Sequence, residues 1–283
     1  MSEHKAETAQ RRYVVTLSGG KGSWGAGRYL IDVLGVNPEG ITLLFTDTNG
    51  EDEDLYRFLR ECADNLGAPL VWLDNDGKTI WDVFRKARMI GNTRLSVCSR
   101  ALKQEPARRW LEENTDPATT TVVVGIDWTE SHRLPAIERN YAPWTAVAPL
   151  TEPGAWSKER IDKELAAAGI EPPRLYAQGF VHNNCAGACV RAGQSQWELK
   201  LRTDPAGYAY AERQEESLRA ELGKDVAILR DRRGGTTKPL PLRVFRERLE
   251  SQPDLFDADD IGGCGCMSLP SDNSLPPEEQ ATS

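Results

Sequence analysis

The chain has 283 residues, 43 acidic against 35 basic side chains for a net charge of −8, and 39% hydrophobic residues. This is a globular composition, and a chain of this length buries about 75% of the surface it exposes when unfolded, enough for one large domain with appendages. A mean hydropathy of −0.53 and no apolar run near about 18 residues exclude a membrane span, and charged residues 1–12 lack the apolar stretch of a secretory signal, so a cytoplasmic setting is expected.

Residues 1–12 read as a flexible N-terminus. Residues 13–17 form a short β-branched run that ends at Ser18-Gly19-Gly20, and a helix-compatible stretch follows over 24–34, so the order is strand, tight turn, helix. Residues 41–45 repeat the strand pattern and stop at Asp47-Thr48-Asn49-Gly50. A helix is predicted over 51–65, with Leu55, Phe58, Leu59 and Cys62 on one face, then strands over 70–73 and 121–125. Strands apolar throughout, alternating with amphipathic helices, predict an α/β fold over 13–180, a doubly wound and mostly parallel sheet with helices on both faces. Such sheets bind ligands at the carboxyl ends of their strands, so the loops after Leu17, Phe45 and Val124 are where chemistry is expected. From 181 to 250 a cysteine loop and a basic helical extension are expected, with helical stretches over 158–168 and 208–222 flanking the loop. Residues 251–283 are rich in Pro, Asp, Ser and Gly and read as a largely flexible acidic tail that carries Cys264 and Cys266.

The turn Ser18-Gly19-Gly20-Lys21-Gly22-Ser23 joins the first strand to the first helix. Its glycines let the backbone turn tightly and bring N–H groups close to an anion, the helix N-terminus adds a favourable field, and Ser18 and Ser23 add hydroxyls. Phosphate is the natural guest. No Gly-Lys-Ser/Thr triplet closes the loop, which excludes the Walker pattern. Gly20-x-Gly22-x-x-Gly25 matches the dinucleotide fingerprint, with Asp47 at the end of the second strand 22 residues beyond Gly25, so a nicotinamide oxidoreductase is one rival; a glycine turn with no ligand is another.

The loop also resembles S-G-G-x-D-S, the pyrophosphate loop of N-type ATP pyrophosphatases and phosphoadenylylsulfate (PAPS) reductases, with Gly22 in place of the Asp. Asp47-Thr48-Asn49-Gly50 is similar to that superfamily's D-T-G motif, and Cys98 to Pro106 to its C-x-x-x-L-K-x-x-P segment. Gly125 to Ser131 resembles its G-I-x-x-x-E-S segment, and Pro149-Leu150 with Leu175 to Phe180 its P-L and L-Y-x-x-G-F stretch. The resemblance spans roughly residues 13–235 in the family's order, and phage-type and DNA-modifying relatives are more alike than the assimilatory reductases around Cys185 to Gly193, with Trp197 beyond. It implies an adenine nucleotide α-hydrolase-like fold that binds ATP or PAPS, with sulfur chemistry at the end of the sheet. Lys21 is then the cation on a phosphate, Ser18, Gly19, Gly20, Gly22, Ser23 and Gly125 line the nucleotide, and Lys103, Arg133 and Arg230 are further anion contacts. Asp47 is expected at the ribose or at Mg2+, or as a helix cap, and the missing family Asp at Gly22 implies weakened magnesium-dependent cleavage.

Cys185-x-x-x-Cys189 and Cys264-x-Cys266, with Cys98, make five candidates for a four-ligand site. Thiolates at such spacing bind zinc or an iron–sulfur cluster, since a flexible loop can turn two sulfurs toward one centre. The resemblance favours a [4Fe–4S] cluster on Cys98, Cys185, Cys189 and Cys264, with zinc as the alternative, whereas Cys62 reads as a small core residue. Cys264 and Cys266 also admit a nucleophile's role, as in sulfonucleotide reductases. Residues 230–248 hold seven basic side chains against two acidic ones, which points to an anionic ligand, nucleotide or nucleic acid, or to a solvated helix face. His182 beside the cysteine loop reads as an outer-shell donor or a turn residue. The favoured function is adenylation-linked sulfur transfer, with nucleic acid as a candidate acceptor and a sulfur donor such as a cysteine desulfurase. Its rivals are reduction of PAPS or adenylylsulfate with thioredoxin as partner, and a nucleotide-binding module that has lost catalysis.

Overall fold

The computed structural model describes residues 11–91, 97–252 and 256–262. In chain order the elements are β1 (Arg12–Thr16), α1 (Lys21–Asp32), β2 (Ile41–Thr46), α2 (Glu53–Leu66), β3 (Leu70–Leu73), α3 (Ile80–Ala87), α4 (Val97–Ser99), α5 (Glu105–Asn114) and β4 (Thr120–Val123). They continue as α6 (Leu134–Tyr141), β5 (Thr145–Val147), α7 (Lys158–Ala167), α8 (Arg174–Ala177), α9 (Gln194–Thr203), α10 (Pro205–Leu222), β6 (Leu229–Asp231), β7 (Lys238–Leu240) and α11 (Leu242–Ser251).

β1 to β5 form one parallel sheet in the order β3-β2-β1-β4-β5. Because successive strand side chains point to opposite faces, Val15, Leu43, Phe45 and Val123 pack against Trp24 and Leu30 of α1, Leu55, Phe58 and Leu59 of α2, and Ile161 and Leu165 of α7. Val14, Leu44 and Val122 pack on the other face against Ala107 and Leu111 of α5 and Ile137 and Tyr141 of α6. Each such side chain contributes about 1.5–3 kcal/mol when fully buried. Burial on both faces is the reason these strands read as unbroken apolar runs. Local signals set the helix ends: Asp52 caps α2 by accepting from Asp54 N, and Gly67 ends that helix at φ +61°, a left-handed conformation costly for other residues. The chain leaves β1 by one side to β2 and returns on the other to β4, so the topological switch lies between β1 and β4.

The C-terminal part builds a second core rather than a separable appendage. Trp197, Tyr208, Leu218, Leu240, Leu242 and Phe245 pack with Ile80, Trp81 and Phe84 of α3 and with Leu102. Glu215 of α10, fully buried, accepts from Ile228 N at 2.8 Å and Leu242 N at 2.6 Å and so ties the antiparallel hairpin β6–β7 and α11 to the helix. The tail differs from its expectation in two places. α11 runs to Ser251, and residues 256–262 are docked: Asp257 N donates to Gln194 Oε1, Gly193 N to Ile261 O, and Ala192 bridges to Gly262. A Cβ at Gly193 would collide with the Asp260 carbonyl, so glycine alone permits this close approach. Cys264 and Cys266 lie outside the described residues. Among the described residues no helix is long and apolar enough to cross a membrane.

Candidate functional site

A cleft of about 590 Å³ opens at the switch point, over the carboxyl ends of β1 and β4. Its floor is the turn from β1 into α1, which contributes Ser18, Gly20, Lys21, Gly22 and Ser23; Gly125 and Asp127 follow β4, and Tyr176, His182 and Asn183 close the far side. Ser23 Oγ donates to Gly20 O at 2.8 Å and accepts from Ser18 N at 3.2 Å, so the serine at the loop's end fixes its shape. Gly19 stands at φ +79° with Leu55 where a Cβ would be, and its carbonyl accepts from Asn183 Nδ2 at 3.0 Å. α1 begins at Lys21, so the first N–H groups of that 12-residue helix have no partner within it and face the cleft end.

The glycine in place of the family aspartate has a packing reason. A Cβ at Gly22 would lie 2.6 Å from the Gly125 carbonyl oxygen, and one at Gly125 would overlap the Ser23 backbone. The loops after β1 and β4 therefore touch backbone to backbone, and an aspartate at 22 cannot enter without moving one of them.

Four cations reach the cleft, each held by a carboxylate: Lys21 by Asp162 at 2.6 Å, Lys103 by Glu51 at 3.1 Å, Lys158 by Asp127 at 3.0 Å, and Arg133 by Glu130. Lys21 Nζ also lies 4.9 Å from the centroid of the Tyr176 ring. Burial opposes ionisation of Asp127, but hydrogen bonds from Thr129 and Lys158 outweigh it and hold the carboxyl below its usual range. A polyphosphate entering the cleft would exchange these carboxylates for its own oxygens.

Behind Lys103 lies a second, small cavity of about 10 Å³, room for one water-sized guest, lined by Cys98, Cys185, Cys189, Ser99, Lys103 and Arg191. Lys103 thus forms the wall between the two spaces. Glu51, whose side chain is 1% exposed, binds the wall together: Oε1 accepts from Lys103 Nζ and Thr48 Oγ1, and Oε2 from Cys185 N at 2.5 Å. Cys185 and Ala186 stand at φ +49° and +50°, with Gly187 next at +81°, and Lys200 Nζ donates to the Ala186 carbonyl at 2.6 Å. Among the described residues no three of His, Cys, Asp and Glu are placed to hold one metal ion. Three sulfurs nonetheless line one space, the donor type of a thiolate-bound centre, and Arg191 Nε and Nη1 are buried there with no hydrogen-bond partner among the described residues. Cys62 is fully buried in the sheet core, and burial pushes its thiol far above the ordinary range, in keeping with a core residue.

Two expected nucleotide contacts stand elsewhere. Asp47 is buried beside β3, where Oδ1 accepts from Asn49 N at 2.8 Å and Tyr56 Oη at 3.1 Å and Oδ2 from Trp72 Nε1 at 3.2 Å. Burial, then the adjacent Asp47 charge, keeps the Tyr56 hydroxyl far above its usual range, so it remains a donor. Asp47 thus braces the loop after β2 and does not line the cleft. Arg230 lies in the hairpin, paired across to Pro239. Of the basic stretch around it, Arg232 pairs with Asp260, Arg233 and Arg248 with Asp231, and Arg246 with Glu212. Asp127, Glu130, Lys158, Tyr176 and Asn183 line the cleft without having been singled out. Asp127, Glu130 and Tyr176 sit inside quoted motifs, which was the available signal; for Lys158 and Asn183 there was none.

The profile of the phosphoadenosine phosphosulfate reductase domain family matches residues 12–189. The chain belongs to this family. The matched span covers the sheet, both glycine loops and Cys98, Cys185 and Cys189; α9 to α11 lie beyond it. No curated protein matches the sequence significantly. Solved structures similar to this one include a phosphoadenylyl-sulfate reductase from Candida auris in complex with phosphate, 16% identical over 63% of this chain and 83% of that one, TM-score 0.44. The U34-tRNA thiolase NcsA from Methanococcus maripaludis, with its [4Fe–4S] cluster, is 14% identical over 74% and 73% at TM-score 0.45. The NH3-dependent NAD synthetase from Campylobacter jejuni is 16% identical over 77% and 88% at TM-score 0.38.

Proposed function

We propose that the chain binds an adenine nucleotide, ATP foremost, in the cleft between β1 and β4 and couples adenylation of an acceptor to sulfur transfer. The observation that carries this reading is the shared wall: Lys103 lines both the cleft over the glycine turn and the cavity of Cys98, Cys185 and Cys189. In the first step an acceptor oxygen attacks the α-phosphorus of ATP, the bond to the β-phosphate oxygen breaks, and pyrophosphate leaves with that electron pair. Backbone N–H groups at the start of α1, with Lys21 released from Asp162, would stabilise the charge on the leaving group. In the second step a sulfur nucleophile attacks the acceptor carbon and AMP departs. Asp127 and Glu130 are the carboxylates at hand for Mg2+.

Cys98, Cys185 and Cys189, with Cys264 as the fourth ligand, would hold a [4Fe–4S] cluster, or zinc in its stead. Such a centre supplies a Lewis-acidic or redox-active site for sulfur next to the nucleotide. Docking of 256–262 onto Ala192 and Gly193, just after Cys189, supports this assignment, Cys264 being two positions beyond Gly262 in sequence. Lys238 and Arg243 are exposed, in keeping with a phosphate-bearing acceptor such as nucleic acid.

The test is pyrophosphate–ATP exchange together with iron, sulfide and zinc analysis on anaerobically purified protein. Exchange that falls about a hundredfold to a thousandfold in Lys21→Ala is expected, as for loss of one donor to developing charge, along with metal lost in Cys98→Ala and Cys185→Ala but kept in Cys62→Ala. The family itself favours a second reading, reduction of PAPS or adenylylsulfate to sulfite. No exchange, with sulfite released from radiolabelled PAPS and abolished by Cys264→Ser or Cys266→Ser, would establish that reading. A protein that binds ATP and does neither would be a nucleotide-binding module.

A further inference from the structure

Arg191 stands two residues beyond Cys189, in the cavity wall with Cys98 and Cys185. Its Nε and Nη1 are buried and have no hydrogen-bond partner among the described residues, although a guanidinium keeps its charge at any pH the protein meets. A buried charge with unsatisfied donors is costly, so a native chain retains one where a partner arrives later. Glu51 lies next to the cavity, but one of its oxygens serves Lys103 and Thr48 and the other the Cys185 N–H. With the Lys103 charge paired with Glu51, the cavity lining holds one further positive charge, two unpartnered N–H groups and three sulfurs. The complementary guest is an anion with sulfur acceptor atoms. A metal centre carrying several thiolates is such an anion.

We infer that Arg191 is a positioning residue that donates Nε–H and Nη1–H to the sulfurs of the thiolate-bound centre and balances its negative charge. This rests on the reading that Cys98, Cys185 and Cys189 hold such a centre. Outer-shell donors of this kind change metal affinity by about ten- to a hundredfold, and hydrogen bonds and net charge at the sulfurs set a cluster's reduction potential. A cation beside the centre stabilises its reduced, more negative form. Removing the charge therefore moves the midpoint to more negative values, and removing the donors loosens the centre.

The experiment compares the full-length wild type with Arg191→Gln and Arg191→Lys, each purified anaerobically and checked for folding by circular dichroism. Iron, sulfide and zinc per chain are measured, followed by an electron paramagnetic resonance redox titration if iron is bound, or chelator competition if zinc is bound. The expected result is a tenfold or greater loss of affinity, or a midpoint shifted negative, in Arg191→Gln. Arg191→Lys, which keeps the charge but not the fork, should fall between that variant and the wild type. A loaded wild type with both variants unchanged in affinity and midpoint overturns the assignment of Arg191 alone. A wild type without metal overturns the cysteine reading, and this inference falls with it. If Arg191→Gln does not fold, Arg191→Lys decides: wild-type affinity and midpoint in that variant count against the paired N–H donation.

Discussion

At Gly22 the identity of one residue is decided by a neighbour more than a hundred positions away. With the Gly125 carbonyl where a side chain would begin, Gly22→Asp should act as overpacking does, costing about 1–3 kcal/mol. Thermal unfolding with pyrophosphate–ATP exchange checks this: Gly22→Asp is expected to lower both the melting temperature and the exchange. Higher exchange in that variant would show that the loop accommodates the family aspartate. The Glu51–Lys103 pair makes the complementary case for charge. Their side chains are 1% and 5% exposed, so Glu51→Gln leaves a buried ammonium without its counter-charge and should cost about 3–5 kcal/mol in urea unfolding. The double variant Glu51→Gln/Lys103→Met removes the orphaned charge as well and is expected to recover part of that loss. Lys103 stands out in a linear reading but its partner does not, because a glutamate and a lysine 52 positions apart become a pair only when the loop after β2 meets the helical turn before α5.

Among the elements, α10 carries the clearest pH dependence. Burial pushes the Glu215 carboxyl up to about 7 from an ordinary 4.5, against the pull of the Ile228 and Leu242 N–H groups. Its folded value is raised, so between those two values the folded chain holds more proton than the unfolded one. Stability from this group is therefore fully present below about 4.5 and is lost as pH rises through about 7, by an amount on the order of 3 kcal/mol. Urea midpoints at pH 5, 6 and 7.5 should show this slope in the wild type and a flatter one in Glu215→Gln; equal slopes would mean that another group carries the dependence. The hairpin that Glu215 holds escaped sequence reading for a reason of length. Its strands are three residues each, and of those six residues only Leu229 and Leu240 are buried, among basic side chains. The three-residue strand β5 is masked in the same way by its exposed first residue.

For the whole molecule, the family span and the folding unit do not coincide. The match ends at residue 189, yet Ile80, Trp81, Phe84 and Leu102 within it are covered by Trp197, Tyr208, Leu218 and Phe245 beyond it. A fragment of residues 1–189 would expose that apolar face, and it is expected to aggregate or to bind a hydrophobic dye, as measured by gel filtration and dye fluorescence beside the full chain. A monomeric fragment that does not bind the dye would show that α3 finds another cover.

The alternation of apolar strands with amphipathic helices determined the parallel sheet, and the glycine turn after β1 determined the floor of the cleft; both are local properties, since a strand buried on two faces and a tight turn each need particular residues in sequence. The family likeness was legible for the same reason, as short motifs at strand ends. What the linear chain left open was decided by contacts between distant segments. Asp47 has the residue type and the position of a ribose or metal ligand, but Tyr56 and Trp72 turn its carboxylate into a brace. The basic run over 230–248 is diluted by Asp260 and Glu212, which come to it from other elements. Lys103 as the wall between cleft and cysteines, and Arg191 with its buried unpaired donors, depend on which side chains share a space. Pairing and burial are set by tertiary packing, and no spacing in the chain encodes them.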